Sequence, residues 1–474
     1  MACSDASKMA AFDVAKLEVG NDGQSPRRRS VFIGHAGERV VALRVGLLGL
    51  GTVGSGTAAI LLDPSQRHPL VRELVIARAG VRSLEKQRSI SLPAELLTTD
   101  LDAIVSDPNV DIVVEVLGGL EPARSLILKA IAHGKHVVTA NKAAIARYGD
   151  EIFAAARAAG VYVAIEAAVG GGIPTIQPLK HALSVNRIRR VLGIVNGTTN
   201  YILTRMATEG ADFAEVLADA QRLGYAEADP TADVDGLDAA DKIAILAAIA
   251  FSDRVKLDDI HCEGIRQIGA TDIGYAERLG FAIKLLAIAQ REAGNTNDDA
   301  LQVRVHPTLV PREHPLASIN GVNNAIFIEG DPIGEVMLFG PGAGAGPTAS
   351  AVVADLVSLV ALMKTQPQGT DLHGLMSYMR QADCRIVPIT ELVTRFYARI
   401  DCIDRPGVIG YLGTTFGKHD VSLESIVQTD RREGLAEIVV VTHDVREGNF
   451  RDALAELASG AIEQIAIPSV LRVL

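Results

Sequence analysis

From Val41 onward, short continuous apolar runs alternate with longer amphipathic runs. The short runs are V-A-L-R-V-G-L-L-G-L, E-L-V-I-A-R-A-G-V-R, D-I-V-V-E-V-L-G-G and K-H-V-V-T-A, and each has the β-branched content of a buried strand. Between them lie helical runs such as T-V-G-S-G-T-A-A-I-L-L and P-A-R-S-L-I-L-K-A-I-A-H-G. Buried strands that alternate with helices are typical of a parallel sheet covered on both faces. Residues 41–165 are therefore predicted to form a doubly wound α/β domain.

The next part of the chain, residues 166–340, mixes both patterns. It contains apolar helical runs such as A-D-K-I-A-I-L-A-A-I-A and strand-like runs such as L-Q-V-R-V-H-P-T-L-V, so it is predicted to be an α+β domain. A glycine-rich turn follows at Gly340 and opens a long apolar helix. We expect residues 340–365 to pack back on the first domain, and residues 366–393 to form a linker.

The two ends of the chain differ from the middle. Residues 394–474 read as strand, helix, strand, strand, helix, strand, an order that predicts a small βαββαβ sandwich. Residues 1–40 are polar and contain no apolar signal core, so they are predicted to be a disordered extension.

Composition and charge exclude several classes of protein. Of the 474 residues, 48% are hydrophobic and 22% are charged, which allows folded cores to form, and the formal net charge of −11 disfavours a general nucleic-acid binder. The four cysteines lie far apart without metal-binding spacing, which favours a reduced, cytoplasmic protein. We find no uninterrupted apolar run that predicts a membrane span, and therefore expect no membrane partner.

A glycine motif follows the first predicted strand. Gly49, Gly51 and Gly54 form G-x-G-x-x-G around Thr52 and Val53, between a strand and a helix. In that context the glycines let the backbone approach a pyrophosphate, and the helix N-terminus favours its negative charge. The motif predicts a Rossmann-type dinucleotide site, although a tight turn without ligand has the same glycines.

The residues after the second strand bear on the choice of cofactor. An acidic residue there would favour NAD, whereas Arg82, with Lys86 and Arg88 nearby, suits a 2′-phosphate. These observations favour NADP(H), while Glu85 keeps NAD(H) possible. A solvated basic loop is the alternative interpretation.

Six acidic residues lie within residues 224–242, whose sequence is G-Y-A-E-A-D-P-T-A-D-V-D-G-L-D-A-A-D-K. A calcium loop with Gly236 at its sixth position would place Lys242 where a bidentate glutamate is required, which defeats that interpretation. A second possibility is a helix start, where acids favour the dipole, and Asp241 is the best candidate for this structural role. Asp238 and Lys242 stand four residues apart on a helix that is otherwise apolar, which predicts that Lys242 points into the protein or a cleft.

Six stretches together resemble the homoserine dehydrogenase family from about Leu43 to the C-terminus. They are G-L-L-G-L-G-T-V-G, H-V-V-T-A-N-K (136–142), E-A-A-V-G-G-G-I-P (166–174), N-G-T-T-N-Y-I-L (196–203), residues 224–242, and F-G-P-G-A-G-A-G-P-T-A-S (339–350). The tail resembles an ACT domain. The resemblance implies reversible, NAD(P)H-dependent reduction of L-aspartate 4-semialdehyde to L-homoserine, in threonine, isoleucine and methionine biosynthesis. Residues 166–340 would then be the substrate and dimerisation domain.

The resemblance also implies the roles of individual residues. Lys242 would be the acid–base lysine, with Asp238 holding it and binding substrate, and Lys142 would lie near the substrate oxygen and the cofactor. The remaining substrate-binding residues would be Glu227, Asp233 and Tyr225. Packing for the tyrosine and a surface position for Lys142 remain the alternatives.

Further positions follow from the same resemblance. The cofactor would also contact Gly118, Ala140, Gly224, Gly340, Gly342 and Gly344. A monovalent cation, Na⁺ or K⁺, would bind Glu166 and the carbonyl groups of Val169, Gly171 and Ile173, where a glycine hinge is the alternative. Threonine would act as effector through the ACT domain, and the chain would form a homodimer or homotetramer.

Two other functions stay open on the sequence alone. One is a different NAD(P)-dependent dehydrogenase of amino-acid metabolism. A semialdehyde dehydrogenase that makes an acyl phosphate would need a cysteine nucleophile, and Cys262 is the only cysteine of residues 166–340. That cysteine lacks a glycine-rich nucleophile turn and reads as buried packing. The other is a non-catalytic nucleotide or amino-acid sensor, which the presence of Lys142 and Lys242 disfavours.

Overall fold

The structure is a computed structural model that describes residues 31–33, 39–291, 300–366, 371–375, 382–432, 435–459 and 465–474. At the N-terminal end, β1 (Val31–Ile33) and β2 (Arg39–Val41) pair antiparallel, within the segment predicted as a disordered extension. The rest of that prediction, for residues 1–30 and 34–38, lies outside the described residues.

A six-stranded parallel sheet follows. Its strands are β3 (Leu43–Leu48), β4 (Leu74–Gly80), β5 (Leu97–Thr98), β6 (Ile112–Glu115), β7 (His136–Thr139) and β8 (Val163–Ala164), and its helices are α1 (Thr52–Leu62), α2 (Leu101–Ser106), α3 (Ala123–Ala132) and α4 (Lys142–Ala159). The strand order is β5-β4-β3-β6-β7-β8, so successive strands are added on one side of β3 up to β5 and on its other side from β6 onward. This order confirms the predicted Rossmann-type fold and places a ligand crevice at the carboxyl ends of those two strands.

The central strands show why the apolar runs predict burial on both faces. Val45, Leu47 and Leu48 in β3 are fully buried, as are Ile112 and Val113 in β6. Alternate residues of these strands join two different cores, one on each side of the sheet. Helices on both faces supply the covering surface that such strands require.

The middle of the chain builds a second, mixed sheet. The helices of this part are α5 (Ile176–Lys180), α6 (Gly197–Glu209), α7 (Phe213–Arg222), α8 (Thr231–Val234), α9 (Leu237–Phe251) and α10 (Ala270–Arg278), and its strands are β9 (Arg187–Ile194), β10 (Asp253–Arg254), β11 (His261–Cys262), β12 (Phe281–Arg291), β13 (Ala300–Pro311), β14 (Asn323–Asp331) and β15 (Gly334–Pro341). All of these strands except β10 belong to the mixed sheet. Helix α9 packs on β9, β12 and β13 and also against α4, so it links the two sheets.

Helix α11 (Ala345–Thr365) returns the chain to the parallel sheet, where it packs along α1. A Cβ at Gly56 of α1 would lie 2.4 Å from the carbonyl oxygen of Ala345, so the two helices approach closely at their N-terminal ends. By length and composition α11 could cross a membrane, contrary to expectation, but half of its apolar stretch is buried. Fully buried Leu356 and Leu359 place it in the core of the first domain.

The C-terminal part contains β16 (Ala382–Asp383), β17 (Arg385–Ile386), β18 (Val393–Ile403), α12 (Val408–Lys418), β19 (Leu423–Arg432), β20 (Leu435–Thr442), β21 (Val445–Arg446), α13 (Glu447–Ser459) and β22 (Ala466–Val473). The principal strands have the order β22-β18-β20-β19, which confirms the βαββαβ prediction. The segment predicted as a linker includes β16 and β17, and these pair with β10 and β13.

The tail is joined to the second sheet, which sequence reasoning did not foresee. Strand β22 pairs in parallel with β13 at Thr308–Arg472 and Leu309–Val473, so one sheet of twelve strands runs through both parts. Tyr397, on the face of the tail's sheet opposite α12 and α13, belongs to the same core as Ile273 of α10. The tail is therefore attached to the second sheet through its edge strand β22, and to α10 through the face of its own sheet that carries Tyr397.

The close contact between α1 and α11 can be tested with two glycine variants. Gly56→Ala is expected to lower the midpoint of thermal unfolding, because the added methyl would overlap the Ala345 carbonyl and overpacking costs about 1–3 kcal/mol. Gly346→Ala is the matched control, since it adds the same methyl to a helix where no atom lies within 4 Å. Equal midpoints for the two variants would contradict the observed packing.

Candidate active site

The glycine turn after β3 has the geometry of a phosphate site. Gly49 has φ of 109°, and a Cβ at Gly54 would lie 2.1 Å from the Gly49 carbonyl oxygen, so both positions require glycine. At Gly51 a Cβ would meet nothing within 4 Å, which leaves open space in front of the backbone. Thr52 and Val53 begin α1 at this point. The residues present therefore fit a dinucleotide pyrophosphate at the helix N-terminus.

A buried network supports the opposite wall of the crevice. Fully buried Glu115, at the end of β6, accepts hydrogen bonds from Thr139 Oγ1 at 2.6 Å and from the backbone N–H of Leu117 at 2.8 Å. Asn141 caps α4 and donates to the Gly119 carbonyl at 2.7 Å. Burial raises the pKa of Glu115. The network fixes the loop containing Gly118 beside Ala140, and sequence reasoning missed Glu115, Thr139 and Asn141.

Two lysines share one buried carboxylate. Asp238 Oδ1 lies 3.0 Å from Lys142 Nζ, and its Oδ2 lies 2.6 Å from Lys242 Nζ. Lys142 opens α4, whereas Asp238 and Lys242 face each other across the first turns of α9. Lys242 also donates to the Val195 carbonyl at 2.5 Å. The Lys142 side chain is 39% exposed, whereas that of Lys242 is 11% exposed, so the cluster runs from the crevice into the protein.

Asn196 joins a second carboxylate to this cluster. Its side-chain amide donates to Asp233 Oδ1 at 2.7 Å and to Asp238 Oδ2 at 2.9 Å. The same residue caps α6 by accepting from the Thr199 N–H at 2.8 Å. Asn196 was not assigned a role from sequence, although an asparagine just before a helix is a recognisable cap signal.

The charges in the cluster are mutually stabilised. Burial alone would raise the pKa of Asp238, but the ammonium groups of Lys242 and Lys142 outweigh it and hold that pKa well below its usual range. The Asp238 carboxylate raises the pKa of Lys142, against the lowering effect of burial. Burial raises the pKa of Asp233, which Asn196 partly opposes. Asp238 is therefore a carboxylate, and Lys142 an ammonium, at neutral pH.

Asp241 has a different role from the predicted one. It lies beyond the first turn of α9, where only Asp238 is acidic, and it pairs with Arg147 of α4 at 2.9 Å. An acid at this position is too far along the helix to act on its N-terminal dipole. The pair instead ties α4 to α9 beside the lysine cluster.

Three of the predicted residues share one loop. Glu227, Tyr225 and Gly224 are exposed, in the loop between α7 and α8. Within the described residues, no hydrogen bond or ion pair joins the Glu227 carboxylate to Lys142 or Lys242. The Tyr225 ring packs edge-on against Tyr201 at 5.0 Å.

The two remaining glycine turns pack directly against each other. A Cβ at Gly171 would lie 2.3 Å from the Gly342 carbonyl oxygen, and Gly172 N–H donates to the Pro341 carbonyl at 3.1 Å. Gly344, with φ of 123°, is the N-cap residue of α11, and the nearest atom to a Cβ at Gly340 would belong to Ile173. The predicted cation turn and the predicted cofactor loop therefore form one unit.

The Glu166 carboxylate accepts three hydrogen bonds from backbone N–H groups. Its Oε1 accepts from the N–H groups of Thr175 at 2.5 Å and Ile176 at 3.0 Å, and its Oε2 accepts from Gln177 at 2.7 Å. These N–H groups belong to the first turn of α5 and have no acceptor within that helix, so the Glu166 carboxylate serves as their hydrogen-bond acceptor. Because a carboxylate offers about four acceptor sites, one site on Oε2 remains for a cation.

Cys262 does not have the properties of a catalytic nucleophile. It lies in β11, and burial, with the nearby Asp235 and Glu263, raises the pKa of its thiol to about 11. Its sulfur donates to the Asp235 carbonyl at 3.3 Å. A reactive cysteine requires a lowered pKa, so the dehydrogenase alternative that depends on Cys262 is disfavoured.

Three family models match consecutive parts of the chain. The homoserine dehydrogenase NAD-binding domain matches residues 49–166, the homoserine dehydrogenase domain matches residues 174–357, and the ACT domain matches residues 396–459. The first supports a nicotinamide cofactor, and the last fits regulation by an amino acid.

Individual relatives agree with these matches. The homoserine dehydrogenase of Synechocystis sp. is 62% identical over 435 residues, which cover 92% of this chain and 100% of the relative. The solved homoserine dehydrogenase from Thiobacillus denitrificans is 43% identical with a TM-score of 0.83, covering 91% of this chain and 98% of its own. A hyperthermophilic archaeal homoserine dehydrogenase solved in complex with NADPH is 28% identical with a TM-score of 0.57, covering 69% and 99%. The chain therefore belongs to the homoserine dehydrogenase family of NAD(P)-dependent oxidoreductases that act on a CH–OH group, and it carries a C-terminal ACT domain.

Proposed function

We propose that the chain reversibly reduces L-aspartate 4-semialdehyde to L-homoserine, with Lys242 as the acid–base residue. The observation that carries this proposal is the Asp238 carboxylate, which holds both Lys142 and Lys242 beside the dinucleotide crevice. A sensor without catalysis would need the crevice but not two ammonium groups fixed on one buried carboxylate.

The substrate would bind through its charged ends. Asp238 and Asp233, with Glu227 from the neighbouring loop, supply carboxylates for the substrate ammonium, and Tyr225 lines the pocket. Lys142, more exposed than Lys242, lies where it can meet the substrate oxygen from the cofactor side. Glu227 and Tyr225 lie on the exposed loop between α7 and α8, and the Tyr225 carbonyl accepts from Thr198 Oγ1 at 2.7 Å, two residues beyond Asn196.

The proton chemistry falls to Lys242. Its ammonium donates a proton to the aldehyde oxygen in the direction of reduction, and its amine takes that proton back in the direction of oxidation. Bound NADPH supplies the hydride for the aldehyde carbon. Asp238 and the Val195 carbonyl hold two hydrogens of the Lys242 ammonium, which orients the third.

The cofactor is proposed to be NADP(H), with NAD(H) as a weaker alternative. Gly49, Gly51 and Gly54 would hold the pyrophosphate, and Gly118, Ala140, Gly224 and the Gly340–Gly344 turn would complete the site. Arg82 is exposed two residues beyond the end of β4, where a 2′-phosphate would lie. The NADPH complex of the archaeal relative supports this preference.

A monovalent cation is proposed at the turn of Glu166, Val169, Gly171 and Ile173. Gly170 and Gly171 have φ of 76° and 57°, which curls the backbone as carbonyl coordination requires. The free acceptor site on Glu166 would complete a ligand set of oxygen atoms, suited to a hard cation. The cation would then stiffen the turn on which the Gly342 loop rests.

Regulation and assembly complete the proposal. Threonine would bind at the turn between β18 and α12, where Asp404 is followed by Arg405, Pro406 and Gly407. The family resemblance supports a cytoplasmic homodimer or homotetramer.

Lys242→Ala is expected to lower kcat by about 10²–10⁴-fold, because the proton donor is lost. The affinity for NADPH, measured by quenching of cofactor fluorescence, should stay unchanged, since Lys242 faces substrate. Lys256→Ala, an exposed lysine beyond the end of α9, is the control and should keep full activity. Full activity in Lys242→Ala would overturn the assignment.

Arg82→Ala is expected to raise the KM for NADPH by about 10–100-fold. This range corresponds to the loss of one charge-assisted hydrogen bond, which contributes about 1.5–3 kcal/mol. The KM for NADH should not change, because NADH lacks the 2′-phosphate. Arg72→Ala, at an exposed position just before β4, is the control for general charge. Parallel changes with both cofactors would argue against a 2′-phosphate contact.

Threonine in the millimolar range is expected to inhibit semialdehyde reduction in a steady-state assay. Asp404→Asn should relieve this inhibition without lowering activity, since it alters only the proposed effector turn. Asp420→Asn is the matched control beyond the other end of α12. Unchanged kinetics of the unmodified chain with threonine would rule out this effector.

A further inference from the structure

Residues 261–272, here called the bridging segment, connect the tail to the acidic stretch at the active site. The segment runs from β11 to the first turn of α10 and contains Glu263, Gly264, Ile265 and Asp272. It contacts the C-terminal tail at both ends and the substrate loop in the middle.

At its first end the segment is bound by Arg472 of β22. Arg472 Nη1 donates to Glu263 Oε2 at 2.7 Å and Nη2 donates to Oε1 at 3.0 Å, a two-pronged ion pair. The guanidinium also pairs with Glu447 of α13, and the Arg472 side chain is only 3% exposed. Burial would raise the pKa of Glu263, but the hydrogen bonds from His261 and Arg472 outweigh it and lower that pKa.

At its second end the segment is bound by Arg399 of β18. Arg399 Nε donates to buried Asp272 at 2.9 Å, while its Nη1 donates to Glu437 of β20 at 3.1 Å. Tyr275 of α10 donates to the same Glu437. Both ends of the segment are therefore held by arginines from the tail. Ion pairs between arginine and carboxylate are strongest when they are two-pronged, as the Arg472–Glu263 pair is.

In the middle, the segment lies directly on the chain before α9. Ile265 N–H donates to the Val234 carbonyl at 2.8 Å, and a Cβ at Gly264 would lie 2.2 Å from that same oxygen. Arg266 pairs with Asp235 through both carboxylate oxygens. Since the segment is hydrogen-bonded to Val234, paired with Asp235 and in close contact with both, a shift of the segment toward α9 would displace these two residues.

In the sequence, Val234 and Asp235 lie between Asp233 and Asp238, the two carboxylates of the proposed site that Asn196 bridges. Asp233 precedes them, and Gly236 and Leu237 lead to Asp238, which holds both lysines. A small displacement here changes the separation of Asp233 and Asp238, which Asn196 bridges. Binding geometry of this kind is sensitive to displacements of about 1 Å.

We propose that Glu263 and Arg472 are positioning residues for the substrate site, because their ion pair holds the bridging segment against the loop that carries Asp233 and Asp238. The inference rests on the proposed function, since it concerns the same substrate site. In this proposal, β22 of the tail supports the active site through Arg472. A ligand that binds the tail could then change the affinity for substrate by shifting the bridging segment.

The test changes Glu263 rather than Arg472, because loss of Arg472 would leave buried Glu447 unpaired. Glu263→Ala is expected to raise the KM for homoserine by about tenfold, in the range found for residues that couple two sites. The KM for the cofactor should stay constant, since the hydrogen bonds and ion pairs of the segment given above join it to the tail and to the chain before α9. Glu263→Gln, which can still accept from Arg472, should restore most of the affinity.

Glu456→Ala is the matched control, because Glu456 pairs with Lys418 and His419 inside the tail. It should leave both KM values unchanged. An unchanged homoserine KM in Glu263→Ala, or an equal rise in the cofactor KM, would overturn the positioning role.

Amide hydrogen exchange separates this inference from the proposed function. In Glu263→Ala, exchange should rise in peptides that cover residues 224–242 and 263–268, and not in those from β3 and β6. This measurement needs no turnover, so an unmodified chain that fails to oxidise homoserine would refute the function alone. Unchanged exchange in those two peptides would refute the positioning role alone.

Discussion

The carboxylate of Asp238 is the interaction on which the rest of the site depends. Two ammonium groups, on Lys142 and Lys242, would repel each other strongly in a partly buried place, and the carboxylate between them removes that repulsion. Asp238 is itself buried and would be costly as an isolated charge. The three groups are stable only together, so α4 and α9 must meet at one point.

The large-scale architecture provides that meeting point. Helix α4 begins at the end of β7, while α9 lies on the second sheet, and the Arg147–Asp241 pair ties the two helices just beside the cluster. Helix α11 adds a second connection, because it packs along α1 and begins at the turn that rests on Gly171. The proposed cofactor crevice, substrate loop and cation turn are thus connected by contacts between elements of the two sheets, so the proposed site draws on both parts of the chain.

The tail contributes more than a separate regulatory module would. Its last strand continues the second sheet through β13, and one face of its own sheet is covered by α10. In this arrangement, partly buried Arg399 and buried Arg472 each pair with one carboxylate of the catalytic part, Asp272 and Glu263 respectively. Edge pairing gives the junction backbone hydrogen bonds, and the ion pairs give it a specific register. These are the contacts through which the proposed positioning role would act.

The sequence by itself determined the local elements and the chemistry they carry. Gly49, Gly51 and Gly54, the βαββαβ order of the tail and the spacing of Asp238 and Lys242 are all readable, because each depends on a few neighbouring residues. Only the tertiary structure decided that Lys142 shares the carboxylate, that Asn196 bridges two acids, that Asp241 pairs with Arg147, and that Arg472 reaches Glu263. Those contacts join residues far apart in the chain, and their geometry follows from how helices and sheets pack, which no local pattern encodes.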